Sequence, residues 1–143
     1  MSRFVLDASV ALCWCFEGQS TEYTEALAER LARGDEARVP GIWPLEVVNS
    51  LMAAERRKML KPAQTDGFLE QMNRLRIHLA PAEIERSFAS VLAVARQYRL
   101  SAYDAAYLEL AIREGLPLAT VDGQLRAAAG IAGVKLGPAE IDR

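Results

Sequence analysis

Residues 3–16 of this 143-residue chain, RFVLDASVALCWCF, decide the fold. RFVL at 3–6 predicts a short strand, and the residues after Asp7 predict a short helix. The apolar stretch is interrupted by Asp7 and is well short of the roughly 20 residues needed to span a membrane. A strand, an acidic residue and a helix in this order indicate an α/β protein with a polar side chain at the end of a strand.

Strands and helices alternate along the rest of the chain. Further strands are predicted in RVPGIWP (38–44) and at 77–80, 116–121 and 133–136. Helices are predicted from the N-caps Ser20 and Thr21 to Gly34 and at 45–60, 62–76, 84–98, 102–114 and 122–130. This alternation predicts a mainly parallel central sheet of four to five short strands, flanked by helices on both sides. We expect residues 1–143 to form a single domain.

Composition narrows the classes of function. The chain is 51% hydrophobic and 25% charged, with a formal net charge of −2, so only a local basic patch could bind nucleic acid. Cys13 and Cys15 are too close in sequence for an ordinary disulfide, and His78 is the only histidine. A zinc site and a histidine-based catalytic triad are therefore not expected. We expect a cytoplasmic protein with no membrane segment.

Two acidic residues directly follow predicted strands. Asp7 follows the first strand, and Asp122 follows LATV of the fourth. Ligands of parallel sheets bind beyond the carboxyl ends of the strands, so both side chains are expected along the same edge of the sheet. The alternative is that each aspartate only caps the helix that follows it.

A third acidic residue, Asp104, lies within a predicted helix. At 100° per residue it falls on the same stripe as Leu108, Ala111 and Ile112, which directs it along the apolar face toward the sheet. An ionised carboxylate in that position is costly unless it is paired or binds a metal. The alternative is a capping box, in which Asp104 bonds back to the helix start at Ser101.

A fourth acidic residue, Glu46, lies early in the helix predicted at 45–60. It shares a small, polar face with Asn49, Ser50 and Arg57, which suits either the wall of a cleft or an exposed surface. Four carboxylates that meet in one place would repel one another strongly unless a cation is bound. Mg²⁺ and Mn²⁺ prefer oxygen ligands, so either is the expected cofactor.

Four motifs resemble those of the PIN-domain family, and in particular those of VapC-type toxins. They are FVLDAS (4–9), PLEVVNSL (44–51), SAYDAAYLELA (101–111) and LATVD (118–122), and together they extend over most of the chain. The resemblance implies that the metal-binding and catalytic quartet comprises Asp7, Glu46, Asp104 and Asp122. It also implies supporting roles for Thr120, Ser9 and Asn49. Gly123 and Gln124 stand where many relatives have further charged residues, which leaves a fifth acidic ligand open.

The same resemblance implies an activity and partners. VapC-type toxins are metal-dependent endoribonucleases of type II toxin–antitoxin systems, so RNA is the expected substrate. The expected products carry a 5′-phosphate and a 3′-hydroxyl. Such toxins form homodimers and are blocked by a cognate antitoxin whose C-terminal segment covers the cleft. A homodimer and an antitoxin partner are therefore expected.

A basic cluster is the candidate contact for the RNA backbone. Arg56, Arg57, Lys58 and Lys61 lie together near the end of the helix that carries Glu46. The alternative is a solvated helix end, where cations are favourable in any case.

Three further readings stay open from the residues. The chain could be a PIN-like nuclease that is not a toxin, a phosphate-handling α/β enzyme, or a binding module without activity on a related scaffold. A phosphatase with an aspartate nucleophile would have a second aspartate at the position of Ser9. An intact set of four carboxylates disfavours a binding module.

Overall fold

The structure is a computed structural model that describes residues 2–137, and its centre is a parallel sheet of four strands. The strands are β1 (Arg3–Leu6), β2 (Glu36–Val39), β3 (Ile77–Leu79) and β4 (Leu118–Ala119). Their order across the sheet is β3-β2-β1-β4, and every pair is parallel. The predicted fold class, an α/β protein with a mainly parallel sheet, is confirmed.

Helices make up most of the remaining structure. They are α1 (Ala8–Cys15), α2 (Glu22–Ala32), α3 (Trp43–Arg56), α4 (Pro62–Asn73), α5 (Ile84–Arg86), α6 (Leu92–Tyr98), α7 (Ala102–Glu114) and α8 (Gly123–Ala132). A π-helical segment, Ser87–Val91, joins α5 to α6. No helix within residues 2–137 has both the length and the apolar character needed to cross a bilayer.

The central strand β1 has an apolar sequence because it is covered on both faces. Phe4, Val5 and Leu6 are all fully buried. β1 pairs with β2 on one side and with β4 on the other, where Val5 lies opposite Leu118. Strands buried in this way are near-continuous apolar runs instead of alternating ones. Asp7 is thereby fixed at the carboxyl end of the most buried strand.

The strand order reverses next to β1. The chain moves outward from β1 to β2 and β3, and then returns across the sheet to add β4 on the other side of β1. In parallel sheets, right-handed crossovers place the helices before and after such a return on opposite faces. A crevice forms where the order reverses, beyond the carboxyl ends of β1 and β4, and this is where such sheets bind ligands. α7 packs directly on both strands.

Several predicted helix ends are confirmed by capping interactions. Thr21 caps α2 and forms a capping box with Thr24. The Ser101 hydroxyl accepts a hydrogen bond from the Asp104 backbone and begins α7, which ends at Gly115 in the left-handed conformation (φ 66°). α7 therefore spans residues 102–114, as predicted.

Two helices are shorter than predicted. The helix predicted at 45–60 begins two residues earlier and ends at Arg56, because Lys58 adopts a left-handed conformation (φ 59°) and Met59 N–H bonds back to Ala54. The helix predicted at 62–76 ends at Asn73, since the chain must become extended to enter β3. Arg57 is consequently the C-cap residue of α3 and not part of its interior.

The last strands also differ from the prediction. The strand predicted at 116–121 is reduced to Leu118–Ala119, because Pro117 has no N–H to donate and the chain turns at Thr120. The strand predicted at 133–136 forms a single parallel bridge between Leu136 and Leu118. The helix predicted at 84–98 is interrupted by the π-helical segment.

Candidate active site

Asp7 is a buried carboxylate that is held by hydroxyl groups. Its side chain is 5% exposed, and its Oδ2 accepts hydrogen bonds from Ser9 Oγ (2.6 Å) and Thr120 Oγ1 (2.7 Å). The Asp7 backbone N–H bonds to Ala119 O (2.9 Å), which continues the β1–β4 ladder and brings Thr120 beside it. Asp7 precedes α1 but makes no side-chain cap, so the capping alternative is wrong for this residue.

Asp122 lies on the other side of the same crevice and does cap its helix. Its Oδ2 accepts a hydrogen bond from the Leu125 N–H (2.8 Å) at the start of α8. Its backbone N–H donates to Thr120 Oγ1 (3.0 Å), so one buried hydroxyl connects Asp7 with Asp122. The Arg126 guanidinium donates to the Thr120 carbonyl (2.8 Å) and lies over the Tyr23 ring, which fixes this turn from outside.

Glu46 approaches from α3 and is half-buried. Its Oε1 accepts a hydrogen bond from the hydroxyl of Tyr107 on α7 (2.5 Å). The alternative of an exposed, solvated Glu46 is therefore wrong. Burial raises the pKa of this carboxyl, the bond from Tyr107 lowers it, and the negative charge of Asp7 raises it further.

Asp104 is half-buried at the start of α7. Leu108 and Ala111 on its predicted stripe are buried, whereas Ile112 is exposed, so the stripe faces the sheet only in part. Ser101 accepts a bond from the Asp104 backbone, but within residues 2–137 the Asp104 carboxylate has no hydrogen-bond partner. Only half of the capping-box alternative is therefore formed, and the carboxylate remains available to a ligand.

The four carboxylates lie close enough to perturb one another. Burial, followed by the charges of Asp122, Asp7 and Glu46, raises the pKa of Asp104 to about 6. Burial also raises the pKa of Asp7, the bonds from its two hydroxyl partners lower it, and the charge of Asp122 raises it. The structure thus brings together all four acidic residues selected from the sequence.

The donor set suits a hard divalent cation. It consists of carboxylate oxygens with hydroxyls nearby, which Mg²⁺ and Mn²⁺ prefer over nitrogen or sulfur sites. Within residues 2–137 no group of three or more acidic, histidine or cysteine side chains is spaced closely enough to hold a metal ion as it stands. Mutual repulsion separates uncompensated carboxylates, and Mg²⁺ commonly retains water ligands at sites with few protein ligands.

The cation-free protein is expected to lose stability as the pH rises from about 5 to about 7. The folded state keeps a proton on Asp104 up to about pH 6, whereas the unfolded chain releases it near 3.8, so this contribution is lost as the pH passes through about 6. Asp7 and Glu46 shift in the same direction, and the lowered pKa of Glu36 acts only at more acidic pH.

Melting temperatures in EDTA across this pH range would measure the effect. Added Mg²⁺ should raise the melting temperature more at pH 7 than at pH 5, because the cation competes with protons for the same oxygens. A cation-free protein that is equally stable or more stable at pH 7 would contradict the prediction.

Other predicted residues are not part of this network. Asn49 is exposed on α3 and has no hydrogen bond with other described residues. Arg56, Arg57, Lys58 and Lys61 are all exposed, and none forms an ion pair within residues 2–137. Arg57 borders a surface depression of about 250 Å³ that Phe16 and Ser50 also line. The basic cluster is therefore available to a ligand, although the structure does not connect it with the carboxylates.

Two residues of the site were missed from the sequence. Tyr107 follows Asp104 by three positions and so shares its helix face. Arg126 follows Asp122 by four positions, a spacing that places a cation beside the same turn. Helical spacing from the two aspartates is the signal that could have identified both residues.

An acidic cluster at the reversal point of a parallel sheet is typical of α/β proteins that bind a divalent cation. The PIN domain family model matches residues 4–131, and the chain therefore belongs to the PIN domain family. PIN domains are nucleases, which assigns the chain to the hydrolases that act on nucleic acids. No curated protein sequence matches the chain significantly.

Solved structures share the fold at low sequence identity. PAE2754 from Pyrobaculum aerophilum is 19% identical, with a TM-score of 0.69 over 89% of this chain and 84% of that chain. VapBC2 from Rickettsia felis, bound to a DNA fragment from its promoter, is 16% identical with a TM-score of 0.61 over 94% and 97%. FitAcB from Neisseria gonorrhoeae is 18% identical with a TM-score of 0.61 over 93% and 95%.

Proposed function

We propose that this protein is an endoribonuclease that depends on Mg²⁺ or Mn²⁺ and is the toxin of a VapBC-type toxin–antitoxin pair. The observation that carries the proposal is the convergence of Asp7, Glu46, Asp104 and Asp122. Thr120 bonds both to the Asp7 carboxylate and to the Asp122 backbone, Tyr107 on the helix of Asp104 bonds to Glu46, and the charges of the other three carboxylates raise the pKa of Asp104. These four residues are the proposed catalytic and metal-binding groups, within a single domain formed by residues 1–143.

Three of the four proposed ligands, Asp7, Glu46 and Asp122, have a hydrogen-bond partner that orients the carboxylate. The hydroxyls of Ser9 and Thr120 donate to Asp7 Oδ2 and hold this carboxylate in place. Asp122 uses one oxygen to cap α8 and keeps the other. Carboxylates oriented in this way need little rearrangement when a ligand arrives.

A divalent cation bound by the quartet would activate water for attack on phosphorus and stabilise negative charge on the phosphate oxygens. Asp7 and Asp104 are the proposed principal ligands, because Asp7 is rigidly held and the carboxylate of Asp104 is unpartnered within residues 2–137. Glu46 and Asp122 complete the set. Asn49 is proposed as a supporting residue on the same side of α3 as Glu46.

The RNA backbone is proposed to contact the basic cluster at the end of α3, which comprises Arg56, Arg57, Lys58 and Lys61. Their exposure and lack of ion pairs within residues 2–137 support this role, because an unpaired cation can neutralise a phosphate and release counterions. The cluster follows the helix that carries Glu46, so a bound strand would extend from the basic cluster toward the carboxylates.

The structural neighbours support a toxin with a protein partner. VapBC2, FitAcB and VapBC-1 from Haemophilus influenzae share the fold over 93–94% of this chain, and the first is bound to promoter DNA. By analogy, the partner of this chain is a cognate antitoxin, and the chain itself forms a homodimer. Its unpaired thiols, Cys13 and Cys15, agree with a reducing, cytoplasmic location.

Purified protein is expected to cleave RNA with Mg²⁺ or Mn²⁺ and to stop when EDTA is added. Asp104→Asn should reduce the cleavage rate at least about 100-fold, because it removes a ligand charge at the centre of the cluster. A pool of structured and single-stranded RNAs is the substrate, and titration of Mn²⁺ without RNA measures cation binding independently.

Asp66→Asn is the matched control, since it makes the same chemical change at an exposed position on α4. It should cleave RNA and bind Mn²⁺ as the wild type does. Equal cleavage by wild type and Asp104→Asn would refute the assignment of the site. A wild-type protein that binds no Mn²⁺ or Mg²⁺ would refute the cation-dependent mechanism, whichever RNA is offered.

A further inference from the structure

Tyr107 is a fully buried side chain that contacts the acidic cluster. It is the largest of the fully buried side chains, and its hydroxyl donates to Glu46 Oε1. A core position could be filled equally well by phenylalanine, which would leave no polar group to satisfy. The hydroxyl therefore has a specific acceptor, and that acceptor is one of the four carboxylates.

The hydroxyl of Tyr107 donates to one oxygen of the Glu46 carboxylate from a fully buried position. Glu46 Oε2 has no donor within residues 2–137, so the bond occupies one oxygen and leaves the other to a cation.

The bond also joins two separate elements of the site. Glu46 belongs to α3, which follows β2, whereas Tyr107 belongs to α7, which packs on β1 and β4. α7 also carries Asp104. α7 thus supplies the Asp104 carboxylate and orients the Glu46 carboxylate. The bond restricts the Glu46 side chain, which would otherwise sample several rotamers.

We propose that Tyr107 is a positioning residue that fixes the Glu46 carboxylate within the acidic cluster and thereby sets the affinity of the site for divalent cations. The inference rests on the proposed cation-dependent function. It adds a residue that contacts neither the cation nor RNA and acts through Glu46.

A double-mutant cycle measured by Mn²⁺ titration of the full chain without RNA tests the inference. Tyr107→Phe is expected to weaken Mn²⁺ binding about tenfold, the usual effect of removing a partner of a metal ligand. In a Glu46→Ala background Tyr107→Phe should not weaken Mn²⁺ binding further, because the carboxylate through which Tyr107 acts has been removed. Tyr103→Phe, an exposed tyrosine on the same helix, is the control and should bind as the wild type does.

Cleavage kinetics provide a second readout. Tyr107→Phe should need about tenfold more Mg²⁺ for half-maximal rate, recover most of its kcat at saturating Mg²⁺, and keep the wild-type KM for RNA. A general packing defect would lower kcat at every Mg²⁺ concentration.

A measurement on the wild-type chain does not depend on the folding of Tyr107→Phe. The buried hydroxyl proton should give a slowly exchanging, downfield NMR signal that is absent in Glu46→Ala and that shifts when Mg²⁺ is added.

Each outcome is decisive. Equal Mn²⁺ affinity of Tyr107→Phe and wild type, or equal weakening with and without the Glu46 carboxylate, overturns the inference alone. An NMR signal that does not respond to Mg²⁺ also overturns it. A wild-type protein that binds no divalent cation overturns the proposed cation-dependent function itself. That outcome is therefore distinguishable from a failure of the inference about Tyr107 alone.

Discussion

Asp7→Asn is expected to reduce RNA cleavage by on the order of 10³-fold or more and, at the same time, to stabilise the cation-free protein. Asparagine retains an oxygen that can accept the bonds from Ser9 and Thr120, so the local geometry should survive. Loss of the charge removes both a principal ligand and an unfavourably buried carboxylate, whose pKa is raised mainly by burial.

The two effects are measured separately, by cleavage assays with Mg²⁺ and by thermal unfolding in EDTA at neutral pH. The melting temperature of the variant should be higher than that of the wild type by a few degrees, and Mg²⁺ should raise it less. Such opposition between stability and activity is typical of functional sites. An inactive variant that is also less stable would indicate a damaged fold and not a lost ligand.

Phe4→Ala is expected to have the largest effect on folding, with a loss of about 3–5 kcal/mol in the free energy of unfolding. Phe4 is fully buried in β1, which lies between β2 and β4, so the surrounding strands cannot easily collapse into the cavity. A domain of this kind has a total stability of only about 5–15 kcal/mol.

Phe88→Ala is the matched control because Phe88 is 75% exposed on the π-helical segment. It should change the free energy of unfolding by less than about 0.5 kcal/mol. Urea denaturation of both variants gives the comparison. Similar losses in the two variants would mean that β1 is not the centre of the core.

The sequence predicts most of the fold because the local signals agree with the tertiary structure. The extent of β1 and of α7 follows from an apolar run, the Ser101 cap and the glycine at 115, whereas the second strand, predicted in 38–44, lies at Glu36–Val39. The errors occur where tertiary contacts outweigh propensity. Nothing in the strongly helical residues 45–60 signals that Lys58 adopts a left-handed conformation, and the strand predicted at 116–121 is cut short by its contacts at Thr120.

The sequence and its family resemblance predicted the four carboxylates and the two hydroxyls that donate to Asp7, but not the partner of Glu46. Asp7 directly follows β1, and Asp122 lies three residues after the end of β4, so the strand signals in the sequence were sufficient to place both at the same edge of the sheet. The bond between Glu46 and Tyr107 joins residues 61 positions apart, and no periodicity within either helix specifies it. The predicted stripe of α7 that carries Asp104 does face the sheet, but it is less buried than expected, since Ile112 on the same stripe is exposed.

The position of β4 beside β1 has a consequence for biosynthesis. Asp7 is translated 113 residues before Thr120, which donates to it. The carboxylate cluster therefore cannot assemble during translation until β4 and the residues after it have emerged from the ribosome. A polypeptide that terminates before β4 lacks both Thr120 and Asp122 and cannot form the cluster.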